Sequence, residues 1–179
     1  HSIPRARPTL KAIAADPGRS MIVRDPRRTE TADMADHFLQ VKPGTDAWAV
    51  AAMVATLVQE DLVDRSFLAE HTHGADEVMA HFAGIDIERY SAWAGLDPEA
   101  VRAAARRLAS AKSVAVFEDL GVQQSIHSTL VSYIEKMLWI LTGNFAKPGA
   151  MAIHTALIPL SGSDKSGSSI LEQALGERT

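Results

Sequence analysis

Ser20-Met21-Ile22-Val23-Arg24-Asp25-Pro26-Arg27-Arg28-Thr29 joins a short apolar run to a charged turn. Ser20 to Val23 has the length of a buried strand, and Asp25-Pro26 stops it. Upstream, behind Pro4 and Pro8, Leu10, Ile13 and Ala14 recur at helical spacing until Asp16-Pro17-Gly18 ends the pattern. A helix, a tight turn and a buried strand make half of an α/β crossover. Downstream, residues 26–37 are polar, a long loop or a short helix around Thr31 to Ala35, and His37 to Val41 reads as a second brief strand.

The same alternation continues along the chain. Pro43-Gly44-Thr45-Asp46 opens a helix in which Ala47, Val50, Ala51, Val54, Leu57 and Val58 recur every three or four residues. Thr45 reads as its N-cap, and Asp46 suits the positive end of the helix dipole. Asp64 to Gly84 predicts further short helices with Phe67, Leu68, Val78, Met79 and Phe82 inward. Asp97-Pro98-Glu99 starts another, with Val101, Ala104, Ala105 and Leu108 inside and Arg102, Arg106 and Arg107 outside. Ser113 to Phe117 reads as a second buried strand. A long helix follows from about Ser125 to Leu141, striped by Leu130, Ile134, Met137, Leu138 and Leu141, and Thr142-Gly143-Asn144 closes it. Met151 to Ile153 reads as a last strand, and residues 161–169 are Ser/Gly-rich, a loop or linker. Strands alternating with helices predict an α/β fold with a mainly parallel sheet flanked by helices. Ligand loops in such a sheet sit at the carboxyl ends of the strands. The loops after Val23 and Phe117 should then share one edge, bringing Asp25, Thr29, Thr45, Asp46 and Gly121 together.

Composition narrows the chemistry. The chain has 179 residues, 46% hydrophobic and 22% charged, with a net charge of -4. That is globular, and it lacks the basic footprint of a nucleic-acid partner. No run is apolar enough for a membrane segment. There are no cysteines, which excludes disulfides, cysteine-held zinc or iron–sulfur clusters and a thiol nucleophile within this chain. Both cytoplasm and periplasm are compatible with that. His1-Ser2-Ile3-Pro4, without Met or a signal pattern, reads like an internal fragment of something longer.

G-x-G-x-x-G, Walker, G-x-S-x-G and H-E-x-x-H signatures are all missing. His71 and His73 form a pair without further ligands, and His127 on the long helix reads as a packed or exposed side chain. No catalytic and no metal-binding residue is assigned. Three segments carry binding chemistry. At a strand end, Asp25 can accept from a ribose or a base, Arg27 and Arg28 can meet phosphates, and Thr29 adds a hydroxyl. An ordinary Asp-Pro turn with solvated arginines fits equally well. Asp46 can take two donors from guanine, a pair that adenine does not offer, or can serve only as a dipole-matched helix start. Leu120-Gly121-Val122-Gln123-Gln124 lets backbone approach a ligand at Gly121 and a Gln amide read a heterocycle, or is a plain strand-to-helix turn.

In order, MIVRDPRRTETADMAD, VKPGTDAWAVAAM, DLVDRSFLAEHTHG, EDLGVQQSIHS and LTGNFAKPG resemble the catalytic subunits of molybdopterin oxidoreductases, the dimethyl sulfoxide reductase family with its formate dehydrogenases and nitrate reductases. HSIP resembles the end of that family's Asn-Pro-x-x-Ser-His-Pro stretch, so the likeness runs over residues 1–160. It implies a Rossmann-like three-layer domain over 1–160, followed by a Ser/Gly-rich loop and tail over 161–179. It also implies binding of bis(molybdopterin guanine dinucleotide), the molybdenum cofactor. By carry-over Asp25, Arg27, Arg28 and Thr29 would contact a guanosine-phosphate tail. Gly44, Thr45 and Asp46 would cover its guanine, and Leu120, Gly121 and Gln124 would line the pterin side. Ser161 to Asp164 match the family's cofactor loop less well.

In the family the molybdenum ligand and any iron–sulfur cysteines lie upstream of the segment matching His1, which agrees with a chain free of cysteine. The resemblance therefore implies a partial cofactor site, inactive alone and without bound cofactor. Its partners would be the remaining domains of the same polypeptide and the small substrate of the whole enzyme. The competing reading is a stand-alone, non-catalytic guanine-nucleotide or molybdenum-cofactor carrier module. Neither substrate nor oligomeric state is legible in these residues.

Overall fold

Eleven apolar or small residues interrupted only by Thr56 explain the centre of the molecule, the helix α2 (Asp46–Gln59). The computed structural model describes residues 5–151. In it, every α2 residue from Ala49 to Leu57 is buried. A helix that is apolar all round needs neighbours on all sides, and α2 is packed by α4 (Ala75–Ala83), α5 (Ile87–Ala94), α6 (Pro98–Ala109) and α8 (Ser128–Ile140). Those neighbours are amphipathic. On α6, Val101, Ala104, Ala105 and Leu108 face the core, Asp97 caps the helix by accepting from the Ala100 N–H at 3.2 Å, and Arg106 turns outward to Glu60 and Glu99. The short α3 (Arg65–His71) is capped the same way, by Asp64 accepting from the Phe67 N–H at 3.0 Å.

The first decisive stretch folds as its pattern predicts. Helix α1 (Ala6–Ala14) precedes β1 (Ile22–Arg24), which pairs in parallel with β2 (His37–Leu39) in the register Ile22 to His37 and Arg24 to Leu39. Parallel neighbours need a crossover of about a dozen residues. Residues 25–36 supply it around a single 3₁₀ turn, Ala32–Met34. Asp36 ties the crossover back, its carboxylate accepting from the Met21 N–H at 2.7 Å.

Three expectations are corrected. Residues 113–117 form no strand: the Val114 N–H is taken by the Asn144 side chain at 3.0 Å, and the Val116 N–H points to the Met151 sulfur at 3.2 Å. Side chains occupy the positions a neighbouring strand would need. Among the described residues the only ladder is β1–β2, with one further parallel bridge between Phe145 and Met151. The coarse α/β class therefore holds as helices around a small parallel sheet.

Thr45, at the N-cap position of α2, makes no capping bond; its hydroxyl donates to the Lys42 carbonyl at 2.6 Å. Helix α8 starts at Ser128, which leaves His127 outside it. Its buried face is Val131, Ile134, Glu135, Leu138 and Trp139, while Leu130 is exposed. Ile134, Leu138 and Leu141 of the predicted stripe lie in the core and Met137 packs against it, while Val131 replaces Leu130 and the buried face widens to take in Glu135. The expected strand beyond Met151, the Ser161 to Asp164 loop and the 161–179 tail lie outside the described residues.

Candidate functional site

Arg24 is the last residue of β1. Its Nε donates to Asp46 Oδ1 at 3.0 Å, tying the strand end to the first turn of α2. Its Nη2 lies 3.9 Å from Glu135 Oε1 on α8. Glu118, just beyond residues 113–117, stands beside Glu135. Segments far apart in sequence thus meet in one buried charged cluster, with the Arg24, Asp46 and Glu135 side chains 13%, 14% and 9% exposed. Burial, and secondly the neighbouring Glu118, pushes the Glu135 carboxyl up to about 7, against the pull of Arg24.

The predicted residues divide around this cluster. Asp25 follows Arg24 and accepts from the Arg27 N–H at 2.7 Å, closing the Asp-Pro turn. Arg27 is exposed, and its guanidinium makes no ion pair among the described residues. Arg28 is engaged locally, with Asp33 at 2.7 Å and over the Phe38 ring. The Thr29 hydroxyl accepts from the Ala32 N–H at 3.3 Å and so serves the crossover turn. Gly44 has φ +77°, and a Cβ built on it or on Gly121 would meet nothing within 4 Å. Backbone at both glycines is open to close approach.

Gly121 lies in the four-residue turn α7 (Leu120–Gln123), whose first N–H bonds to Asp119. Leu120 is 60% exposed, and Gln124 is exposed. Beside them Phe117, Ile126, Leu130 and Tyr133 also present apolar surface. An open depression of about 430 Å³ runs along α8 here, bordered by Glu118, Ser128, Tyr133 and Lys136.

Arg24 and Glu135 were missed in the sequence, although each left a signal. Arg24 is a cation placed directly on an apolar strand run. Glu135 sits at helical spacing among Val131, Ile134 and Leu138, a charge inside an apolar stripe. Among the described residues no three His, Asp or Glu side chains stand close enough to hold a metal ion, and no helix is long and apolar enough to cross a membrane.

No family model matches the chain. Individual proteins do. Formate dehydrogenase H of Escherichia coli is 33% identical over 145 residues, 81% of this chain and 20% of the relative. The dimethyl sulfoxide reductase of Haemophilus influenzae is 33% identical over 155 residues, 75% of this chain and 19% of the relative. Among solved structures, acetylene hydratase from Pelobacter acetylenicus superposes with a TM-score of 0.70 at 25% identity, covering 74% of this chain and 18% of that one. This chain's homologues over most of its length are molybdopterin oxidoreductases. An assimilatory nitrate reductase catalytic subunit is also similar, at 28% identity. The chain spans about a fifth of the length of these molybdopterin oxidoreductases.

Proposed function

We propose that this chain, in a Rossmann-like arrangement, holds part of a bis(molybdopterin guanine dinucleotide) cofactor in a molybdenum-dependent oxidoreductase acting on a small substrate. The observation that carries the reading is the Arg24–Asp46 hydrogen bond, which ties the strand end before the Asp25–Thr29 turn to the first turn of α2. The local chemistry fits such a ligand. Arg27 offers an uncommitted guanidinium to a diphosphate, and open backbone at Gly44 and Gly121 admits a planar group. Asp46 has acceptor positions left after Arg24 takes one, since a carboxylate has about four lone-pair sites. Leu120 and Gln124 supply an apolar face and an amide beside Gly121.

When bound, the cofactor supplies two-electron or oxygen-atom transfer at molybdenum; the protein supplies binding and orientation. Arg28 and Thr29 act one step back, by bracing the turn that presents Asp25 and Arg27. Asp46 selects the base: its ionised carboxylate accepts both the ring N–H and the amino group of guanine, charge-assisted bonds of about 1.5–3 kcal/mol each when buried. Titrating the chain with guanosine and adenosine monophosphates at high concentration tests this. Guanine preference that collapses in Asp46→Asn, with the circular dichroism of the parent retained, is the expected result. Equal affinity for both nucleotides, or an unchanged Asp46→Asn variant, would leave Asp46 as a helix start only.

A further inference from the structure

Arg24 is one cation among three carboxyl groups. Asp46 faces it from α2 at 3.0 Å, Glu135 from α8 at 3.9 Å, and Glu118 backs Glu135 from the segment after Phe117. Lys136, the next residue of α8, turns its ammonium to the Ser132 hydroxyl at 2.9 Å. Burial of Arg24, Asp46 and Glu135 together sets one guanidinium against two carboxyls, and an unpaired buried charge is among the most costly groups a protein can hold. Glu135, the farther of the two from the guanidinium and the one with a second acid beside it, therefore keeps its proton. With that proton in place, the Glu135 contact is too long for a hydrogen bond, and Arg24 is committed to Asp46.

We propose that Arg24 is a positioning residue that orients Asp46 toward the nucleotide base, and that the proton on Glu135 sets how firmly Arg24 holds it. When Glu135 releases the proton to solvent, its anion competes for the guanidinium and Asp46 loses its fixed orientation. Base selectivity at this edge then falls as pH rises. The elevation of Glu135 to about 7, from burial first and Glu118 second, sets the range in which the exchange occurs. The base-orienting part rests on the reading of Asp46 given above; the proton-linked exchange of Arg24 does not.

The test uses the 179-residue chain labelled with ¹⁵N-arginine, following the Arg24 Nε–H resonance between about pH 5.5 and 8, around the ordinary carboxyl and imidazole ranges. The resonance is expected to move through one transition near neutrality. Glu135→Gln should hold it at its low-pH position throughout, and Glu118→Gln should shift the transition downward. A flat resonance in the parent, or a transition that persists in Glu135→Gln, overturns the exchange. In parallel, the ratio of guanosine to adenosine monophosphate affinities should fall several-fold across the same range in the parent and stay constant in Glu135→Gln. The phosphate titrates alike in both nucleotides, so the ratio reports on the base. Arg24→Lys should retain part of the preference that Arg24→Leu loses. A preference unmoved by pH or by Arg24→Leu overturns the positioning role. Absence of binding by either nucleotide removes the base reading of Asp46 and Arg24's role toward a base, while the resonance still decides the exchange.

Discussion

Ser20–Val23 and Ser113–Phe117 are similar apolar runs, each followed within two residues by an acid, yet they are held in different ways. The first enters β1, where backbone from β2 takes its hydrogen-bonding groups and Asp36 anchors its entry. The second forms no ladder, and its Val114 N–H depends on one buried side chain, Asn144. Both lead into the same charged cluster, the first through Arg24 and the second through Glu118. The difference teaches that an apolar run states a preference for extended backbone, while pairing requires a partner strand beside it. Where none stands among the described residues, a side chain satisfies the amide.

That contrast breaks most visibly at Asn144, which is 1% exposed and also donates to the Thr142 carbonyl at 3.0 Å. Asn144→Ala leaves the Val114 N–H without its acceptor and opens a cavity, and should cost about 2–4 kcal/mol. Hydrogen exchange should accelerate over 113–117 and remain slow in β1. Equal acceleration in both runs would mean that Asn144 supports the core at large.

The next effect concerns the joint between the runs. The ordinary Glu pKa of 4.5 rises to about 7 for Glu135 in the folded chain. Between these values the unfolded chain has lost its proton and the folded chain retains it, so stability is full below the lower value and declines as pH rises toward the upper one. Glu135→Gln removes that penalty. The variant should match the parent near pH 4.5 and exceed it by roughly 1–3 kcal/mol at pH 8. Urea midpoints that run parallel across pH would contradict it.

At the entry to β1, Asp36 is exposed, and the bond from the Met21 N–H holds its carboxyl below the usual range. Its contribution is present above the ordinary Asp value and lost as pH falls through the lowered one. Solvent screening limits it, so Asp36→Ala should cost no more than about 1 kcal/mol. The Met21 amide should exchange faster while Val114 does not change. Smallest of all is Thr45→Ala. Losing a true N-cap costs about 0.5–2 kcal/mol, but this hydroxyl bonds an exposed carbonyl, and thermal unfolding should move by less than about 0.5 kcal/mol. A loss in the N-cap range would show that the cap forms in solution.

Helices were the readable part of this chain. Leu57 and Val54 at helical spacing, Asp97-Pro98 at a start and Gly143 at a stop act within a few residues, and local hydrogen bonding satisfies their backbone wherever the helix lies. The turns at Asp25 and Asp46 were legible for a similar reason, since turn chemistry is local. Pairing was not: whether 113–117 found a strand or Asn144 depended on residues 30 positions away. Nor was the edge of the α8 stripe: Ile134, Leu138 and Leu141 were legible, but Leu130 and Val131 are equally apolar, and only tertiary packing buried Val131 and drew Glu135 inside. The charged cluster lay furthest from the sequence. Arg24, Asp46, Glu118 and Glu135 are ordinary residues one by one, and burial turns them into interacting groups by removing the water that would otherwise screen each from the rest.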